Sequence, residues 1–251
     1  FYKNGFMPTK DIISSNQIEW VTNMFLLIKS PTNSAIGRYD GKNIVKLNYQ
    51  DYHPYGITPK NIGQKMIVEA LMESTERAPL VIIKGGAGTG KTYQSLAAAL
   101  EQTLLASPKV YSQILVSSPT QTVGQERLGF LPGEIEDKFN PHLGGIMDNV
   151  KILCQSRKID NKNSKHTQKS LFDNGTIQVQ PIGFLRGRTI VNSFFIIDET
   201  QNISPDDIKS IVTRIGEGSK FIFLGDPTQI DNPSLNERYN GLVYLSERMK
   251  N

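Results

Sequence analysis

Apolar residues along the chain gather into short, dense runs. Leu80–Ile83, Ile114–Val116, Phe194–Ile197 and Phe221–Leu224 are uninterrupted apolar segments built from Ile, Val, Leu and Phe. Runs of this kind, each closed by a polar residue or glycine, fit strands buried on both faces of a parallel sheet. Thr176–Gln180 is a further strand candidate. Between the runs the pattern lengthens to a helical period. Tyr93–Gln102, rich in Ala and Leu, predicts a helix. Another is predicted with Pro59 in its first turn, continuing through Gln64, Met66, Ile67, Ala70 and Leu71. Ile208–Ile215 has the same helical character. Before residue 58 the pattern changes. Asn23–Ile28 reads as a strand, and Ala35–Leu47 alternates around Asp40-Gly41, a dipeptide that favours a tight hairpin turn. The expectation is an α/β chain. A small β-containing lead-in over 1–58 precedes a main domain over 59–251, a three-layer sandwich with a mostly parallel sheet.

One stretch turns this pattern into chemistry. After the Leu80–Ile83 run, Gly85, Gly86, Ala87, Gly88, Thr89, Gly90, Lys91 and Thr92 match G-x-x-x-x-G-K-[ST] in full. An anion the size of a phosphate reaches backbone N–H groups only where side chains are absent, and the helix that follows aims its free N–H groups at the same point. Strand, glycine loop and helix stand in the order a P-loop NTPase of RecA-like type requires. Lys91 is placed to reach the β- and γ-phosphates of ATP, and Thr92 to set its hydroxyl on Mg²⁺.

A second acidic element fits the first. Phe194–Ile197 ends in Asp198-Glu199-Thr200-Gln201. Two carboxylates at the end of a buried strand are costly without a cation to offset them, so Asp198 is read as holding Mg²⁺ and Glu199 as the base that deprotonates water. Phe221–Leu224 ends in Gly225-Asp226-Pro227-Thr228-Gln229, where Gln229 is a candidate contact for the γ-phosphate or its water. Arg186 and Arg188, flanking Gly187, are either phosphate contacts or ordinary exposed arginines, and Arg214 is a candidate finger toward a neighbouring subunit. Gln64 either grips the adenine edge through its amide or is a solvent-facing helix residue. Ser117, Ser118, Pro119 and Thr120 follow the Ile114–Val116 run. They are read either as contacts to ATP or a nucleic-acid backbone, or as a cap on the next helix.

Glu134, Glu136 and Asp137 mark an acidic helix start, while Arg157–Lys169, with five Lys or Arg, reads as an exposed loop. His53, His142 and His166 lie in no metal-like cluster of Cys or acidic residues.

Composition adds limits. With 38% hydrophobic and 21% charged residues the chain reads as soluble, and no apolar stretch approaches the roughly 20 residues a membrane helix needs. The single Cys154 has no internal disulfide partner, which fits a reducing cytoplasm. A net charge of +4 permits a polyanionic partner without requiring one. The start, FYKNGFMPTK, has neither an initiator Met nor the apolar core of a signal peptide, so a fragment of a longer protein is expected.

The ordered motifs GGAGTGKT, GFLPGEIEDK, FLRGRT, IIDETQN, TRIGEGSK and GDPTQID, spread over residues 55 to 245, resemble those of the PhoH-like ATPases. The segments SAIGRYDGK and YGITPKNIGQ resemble the join between a PIN-type ribonuclease domain and the PhoH module in fused members. The resemblance implies an ATP-dependent RNA helicase coupled to RNA cleavage, with ATP and Mg²⁺ as cofactors, single-stranded RNA as partner and a PIN domain upstream. It also implies a homo-oligomer, a hexameric ring. Thr200 stands where the family usually has Ala. The DExQ and GDPxQ patterns are similar to the first motor domain of superfamily 1 helicases. Those enzymes close a second such domain over ATP, whereas this chain has one, so positive charge from an adjacent copy is expected to complete the site. Two other readings stand beside the motor. One is an ATP-gated assembly module that positions a nuclease; the other is a small-molecule kinase, which Glu199 beside Asp198 argues against.

Overall fold

The computed structural model describes residues 1, 4–12, 18–119, 135–160, 166–185 and 187–250, with backbone alone for 135–142 and 158–160. Thr120, most of the GFLPGEIEDK motif and Arg186 lie outside the described residues.

The main sheet has five strands, β5 (Leu80–Lys84), β6 (Gln113–Ser117), β7 (Ile177–Val179), β8 (Ser193–Ile197) and β9 (Lys220–Gly225). They are all parallel, in the order β5-β9-β8-β6-β7. Because side chains alternate along a strand, each apolar run feeds two cores. Val81, Ile83, Ile114, Val116, Phe194, Ile196, Ile222 and Leu224 enter one cluster. Leu115, Phe195, Ile197, Phe221 and Phe223 enter the other. The first is covered by α1 (Ile62–Met72), α2 (Lys91–Leu100), α3 (Ile135–Asp160) and α4 (Gln168–Asp173). The second is covered by α5 (Pro205–Val212) and α6 (Gly241–Arg248). This is the expected three-layer α/β sandwich.

Several boundaries differ from the sequence reading. Pro59 precedes α1 rather than opening it, because Asn61 is the N-cap and its side chain accepts from the Gln64 N–H at 2.9 Å. The helix read as Ile208–Ile215 begins earlier and ends at Val212. Ser204 caps it through the Asp207 N–H and Pro205 occupies its first turn, where a missing N–H does no harm. The stretch read as an exposed loop over 157–169 is shorter, since α3 runs to Asp160 and α4 starts at Gln168 with Thr167 in a capping box. Arg157 lies against the Tyr55 ring, 4.9 Å from its centroid.

The lead-in forms a separate antiparallel sheet. Its strands are β1 (Phe6–Pro8), β2 (Phe25–Lys29), β3 (Ser34–Tyr39) and β4 (Asn43–Lys46), in the order β1-β4-β3-β2. The β3–β4 turn carries the Asp40-Gly41 pair, and the Asp40 carboxylate accepts from the N–H groups of Lys42 and Asn43. Those bonds hold its pKa below the usual carboxylate range. This sheet is tied to α1. Buried Arg38 pairs with buried Glu73 at 3.0 Å, and Glu69 accepts from the N–H groups of Asn48 and Tyr49 at 3.1 and 2.7 Å. Lys220, at the start of β9, donates to the carbonyls of Ala70, Leu71 and Glu73 at the end of the same helix. Helix α1 therefore links the small sheet to the large one.

Candidate functional site

The carboxyl end of the parallel sheet is where such folds bind ligands, and here that edge gathers three loops. The first is the glycine loop between β5 and α2. Gly90 sits at φ 88°, a left-handed conformation that L side chains resist, and a Cβ there would lie 3.0 Å from the Gln64 amide nitrogen. Thr89 Oγ1 donates to the Gly86 carbonyl at 2.8 Å. Lys91 Nζ curls back over the loop to the carbonyls of Gly85 and Gly86, at 2.6 and 2.9 Å.

Gln64 is adjacent, but its amide is committed to the protein. Its Nε2 donates to the Thr89 carbonyl at 3.1 Å, while its Oε1 accepts from the Lys60 N–H at 2.8 Å. Gln94, on α2, donates to the same oxygen at 3.4 Å. The side chain thus braces the phosphate loop. Phe25, Met66, Ile67, Ala70 and Gln64 border a cavity of about 780 Å³ against β5 and the loop.

The second loop is the acidic turn after β8. Strand β9 lies between β5 and β8, so glycine loop and acid pair are separated by two strand spacings, roughly 10 Å. Thr92 spans that gap: its Oγ1 donates to Asp198 Oδ2 at 2.7 Å. Hydroxyl and carboxylate are the hard oxygen donors that suit Mg²⁺, which takes one or two carboxylates and completes its shell with water and phosphate. These two residues fit that ion.

Glu199 stands at φ 52°, an uncommon conformation for a residue with a side chain. Its backbone N–H donates to Asp198 Oδ1 at 2.9 Å. It reaches solvent, yet crowding of its carboxyl by protein raises its pKa, and the Asp198 charge adds to the rise. A hydrogen bond from Gln201 and the charge of Lys91 pull the other way. A carboxyl tuned upward beside a Lys is suited to taking a proton.

The third loop follows β9, and Gln201 joins it to the second. Gln201 is fully buried. Its Nε2 donates to Glu199 Oε2 at 2.5 Å and to the Gln229 carbonyl at 2.8 Å, while its Oε1 accepts from the Asp226 N–H at 3.1 Å. Gly225 makes room for it, since a Cβ there would fall 2.3 Å from that oxygen. Next to it, Asn202 Oδ1 accepts from the N–H groups of Asp231 and Asn232 at 2.8 and 3.3 Å. The sequence reading attached a role to Gln229 and none to Gln201 or Asn202. In the structure the Gln229 side chain is exposed, and its main chain makes the contact.

The arginines are dispersed. Arg188 is exposed. Arg214 accepts the Ile190 N–H through its carbonyl, ahead of β8 and β9, and so sits at the amino edge of the sheet, opposite the phosphate loop. Arg186 is outside the described residues.

A family profile described as PhoH-like protein matches residues 56–251. The chain belongs to the PhoH-like family. It is 40% identical to Protein PhoH2 of Bacillus subtilis (strain 168) over 255 residues, covering 100% of this chain and 55% of that protein. It is 36% identical over 177 residues to a PhoH-like protein of Mycobacterium tuberculosis (strain ATCC 25618 / H37Rv), covering 70% of this chain and 46% of that protein. Protein PhoH2 of Thermobispora bispora is 29% identical over 225 residues, 90% of this chain and 48% of that protein. The chain thus spans about half the length of the curated relatives it matches. Membership of the PhoH-like family carries with it a nucleotide-binding ATPase, in keeping with the P-loop fold. Among the described residues, no helix is long and apolar enough to cross a membrane.

Proposed function

We propose that this PhoH-like chain hydrolyses ATP with Mg²⁺ and couples the reaction to movement on single-stranded RNA, in a ring of identical subunits and alongside a PIN-type ribonuclease domain. The observation that carries the ATPase reading is the 2.7 Å bond between Thr92 and Asp198, which places phosphate loop and acid pair in one site. Magnesium, when bound, supplies positive charge to the phosphate oxygens, with Thr92 and Asp198 as its protein contacts. The loop N–H groups and Lys91 orient the triphosphate. Glu199 takes the proton from the water that attacks the γ-phosphorus as the bond to the leaving ADP oxygen breaks. Gln201 holds Glu199 and the Gly225–Gln229 loop together, so a change at the γ-phosphate is passed to that loop.

The ring rests on charge and placement. Arg214 is at the opposite edge from the site, so it meets a nucleotide only on an adjacent copy, through a head-to-tail contact of the kind that closes into rings. The test uses the full-length protein. Single-stranded RNA is expected to stimulate release of phosphate, and Glu199→Gln to retain bound ATP while turnover falls about 10²- to 10⁴-fold. Normal turnover in Glu199→Gln removes the assignment of the base. Assembly on ATP without any response to RNA favours a module that positions a nuclease instead.

A further inference from the structure

On the α5 side of the same sheet edge is a second cavity, of about 420 Å³, bordered by Pro119, Ile182, Asn202, Asp207, Ile211 and Asn232. That volume falls in the range of about 300–1,000 Å³ typical of sites for small ligands. Its walls divide by chemistry. Ile182 and Ile211 are apolar, whereas Asn202, Asp207 and Asn232 are polar and hydrogen-bonded within the protein, the Asn202 amide to Asp231 and Asn232, the Asn232 amide to Asn202 and Ser234, and the Asp207 carboxylate to Ser204. Beside it Phe184 projects from the same short turn as Ile182, 59% exposed, the most exposed large apolar side chain among the described residues. Exposed Arg188 follows four positions on.

We propose that this cavity and the Phe184 ring together bind single-stranded RNA, with one base stacked on Phe184 and the neighbouring nucleoside in the cavity. The inference rests on the RNA reading above and deepens it. An isolated exposed Phe is unremarkable, as is a small cavity. Together with an exposed arginine they supply parts that single-strand binders use: an aromatic face for stacking, carbonyl and carboxylate oxygens whose further lone pairs accept from a base edge or the 2′-hydroxyl, and a cation for the backbone. The Asp207 carboxylate, which accepts from Ser204 Oγ at 2.8 Å, repels a phosphate and tolerates an uncharged base and sugar.

The position also links RNA to hydrolysis. Asn202, on the cavity wall, holds the backbone at Asp231 and Asn232. Its chain neighbour Gln201 holds Glu199. A nucleoside seated against Asn202 bears on the residue that fixes the base.

The test is anisotropy of a labelled oligouridine on the full-length protein with a non-hydrolysable ATP analogue, together with ATPase rates with and without that RNA. Phe184→Ala is expected to weaken RNA binding about 5- to 100-fold, in line with single base–aromatic stacks, with RNA-independent ATPase unchanged. Phe184→Trp is expected to keep the affinity. Ser210→Trp, which fills the cavity from α5, is expected to lower it. Arg188→Ala should reduce the slope of log affinity against log salt by about 1. If the unaltered protein binds RNA and Phe184→Ala binds it equally, the inference is overturned while the RNA reading survives. Loss of self-association in that variant, with RNA affinity kept, would likewise overturn it and give the ring to a contact between copies. If the unaltered protein binds no RNA, the parent reading fails.

Discussion

Replacing Gln201 with Met tests the link between the acid pair and the loop after β9. Met has nearly the shape of Gln and leaves no cavity, so the effect isolates the three hydrogen bonds of the amide. Two lost partners matter differently. Gln229 is exposed, and water can take over its carbonyl. Asp226 is only 8% exposed, so its N–H is left without an acceptor, at a cost of about 1–3 kcal/mol. At 2–4 °C per kcal/mol for a chain of this size, a loss of about 2 kcal/mol lowers the unfolding midpoint by about 4–8 °C. The catalytic effect has its own sign. The Gln201 bond favours ionised Glu199, so its removal raises the carboxyl pKa further, and a base must be ionised to act. The acid limb of the ATPase pH profile therefore moves to higher pH. At pH 8 turnover falls about 10-fold through lost orientation, short of the 10²–10⁴ of a deleted base. Calorimetry and steady-state phosphate release over pH 5.5–9 measure both. A Met variant with an unmoved midpoint and an unmoved acid limb would show that Gln201 only fills space.

Two further predictions concern helix α1. Arg38→Ala leaves buried Glu73 with Arg77 at 3.7 Å and the more distant charge of Lys220, and is expected to destabilise by about 3 kcal/mol, the lower end for breaking a buried pair. Denaturant unfolding would read it, and a loss below about 1 kcal/mol would mean that the small sheet is held otherwise. Burial pushes the Lys220 ammonium down to about 8 from its ordinary 10.5, against the opposing charges of Glu73 and Glu76. The unfolded chain therefore binds more protons between those values, and stability relative to Lys220→Met should rise by up to about 3 kcal/mol from pH 8 to 10.5. A difference that stays flat over that window would show that Lys220 keeps its proton, held by the three carbonyls.

Residues near one another in the chain could be read for the local structure they form. Leu80–Gln102 spells strand, loop and helix, and the structure has them in that order, because a glycine loop and the helix it opens are consecutive in the chain. The Asp40-Gly41 turn is equally local, since the Asp40 carboxylate serves N–H groups two and three residues on. The acid pair was legible as two adjacent carboxylates closing a buried strand, and β8 does end just before Asp198. Gln201 was not, because its partners lie up to 28 residues away on another strand's loop. The adenine reading of Gln64 depended on where its amide points, and packing turned it to Thr89 and Lys60. Arg214 was read as a candidate finger from the helical stretch Ile208–Ile215, but only the crossover placed it at the amino edge of the sheet, away from the phosphate loop of its own chain. In a parallel sheet neighbouring strands are brought together by crossovers rather than by adjacency in the chain. Sequence by itself thus determined which residues each loop carries and how its turn is built, while only the order β5-β9-β8 decided which loops meet.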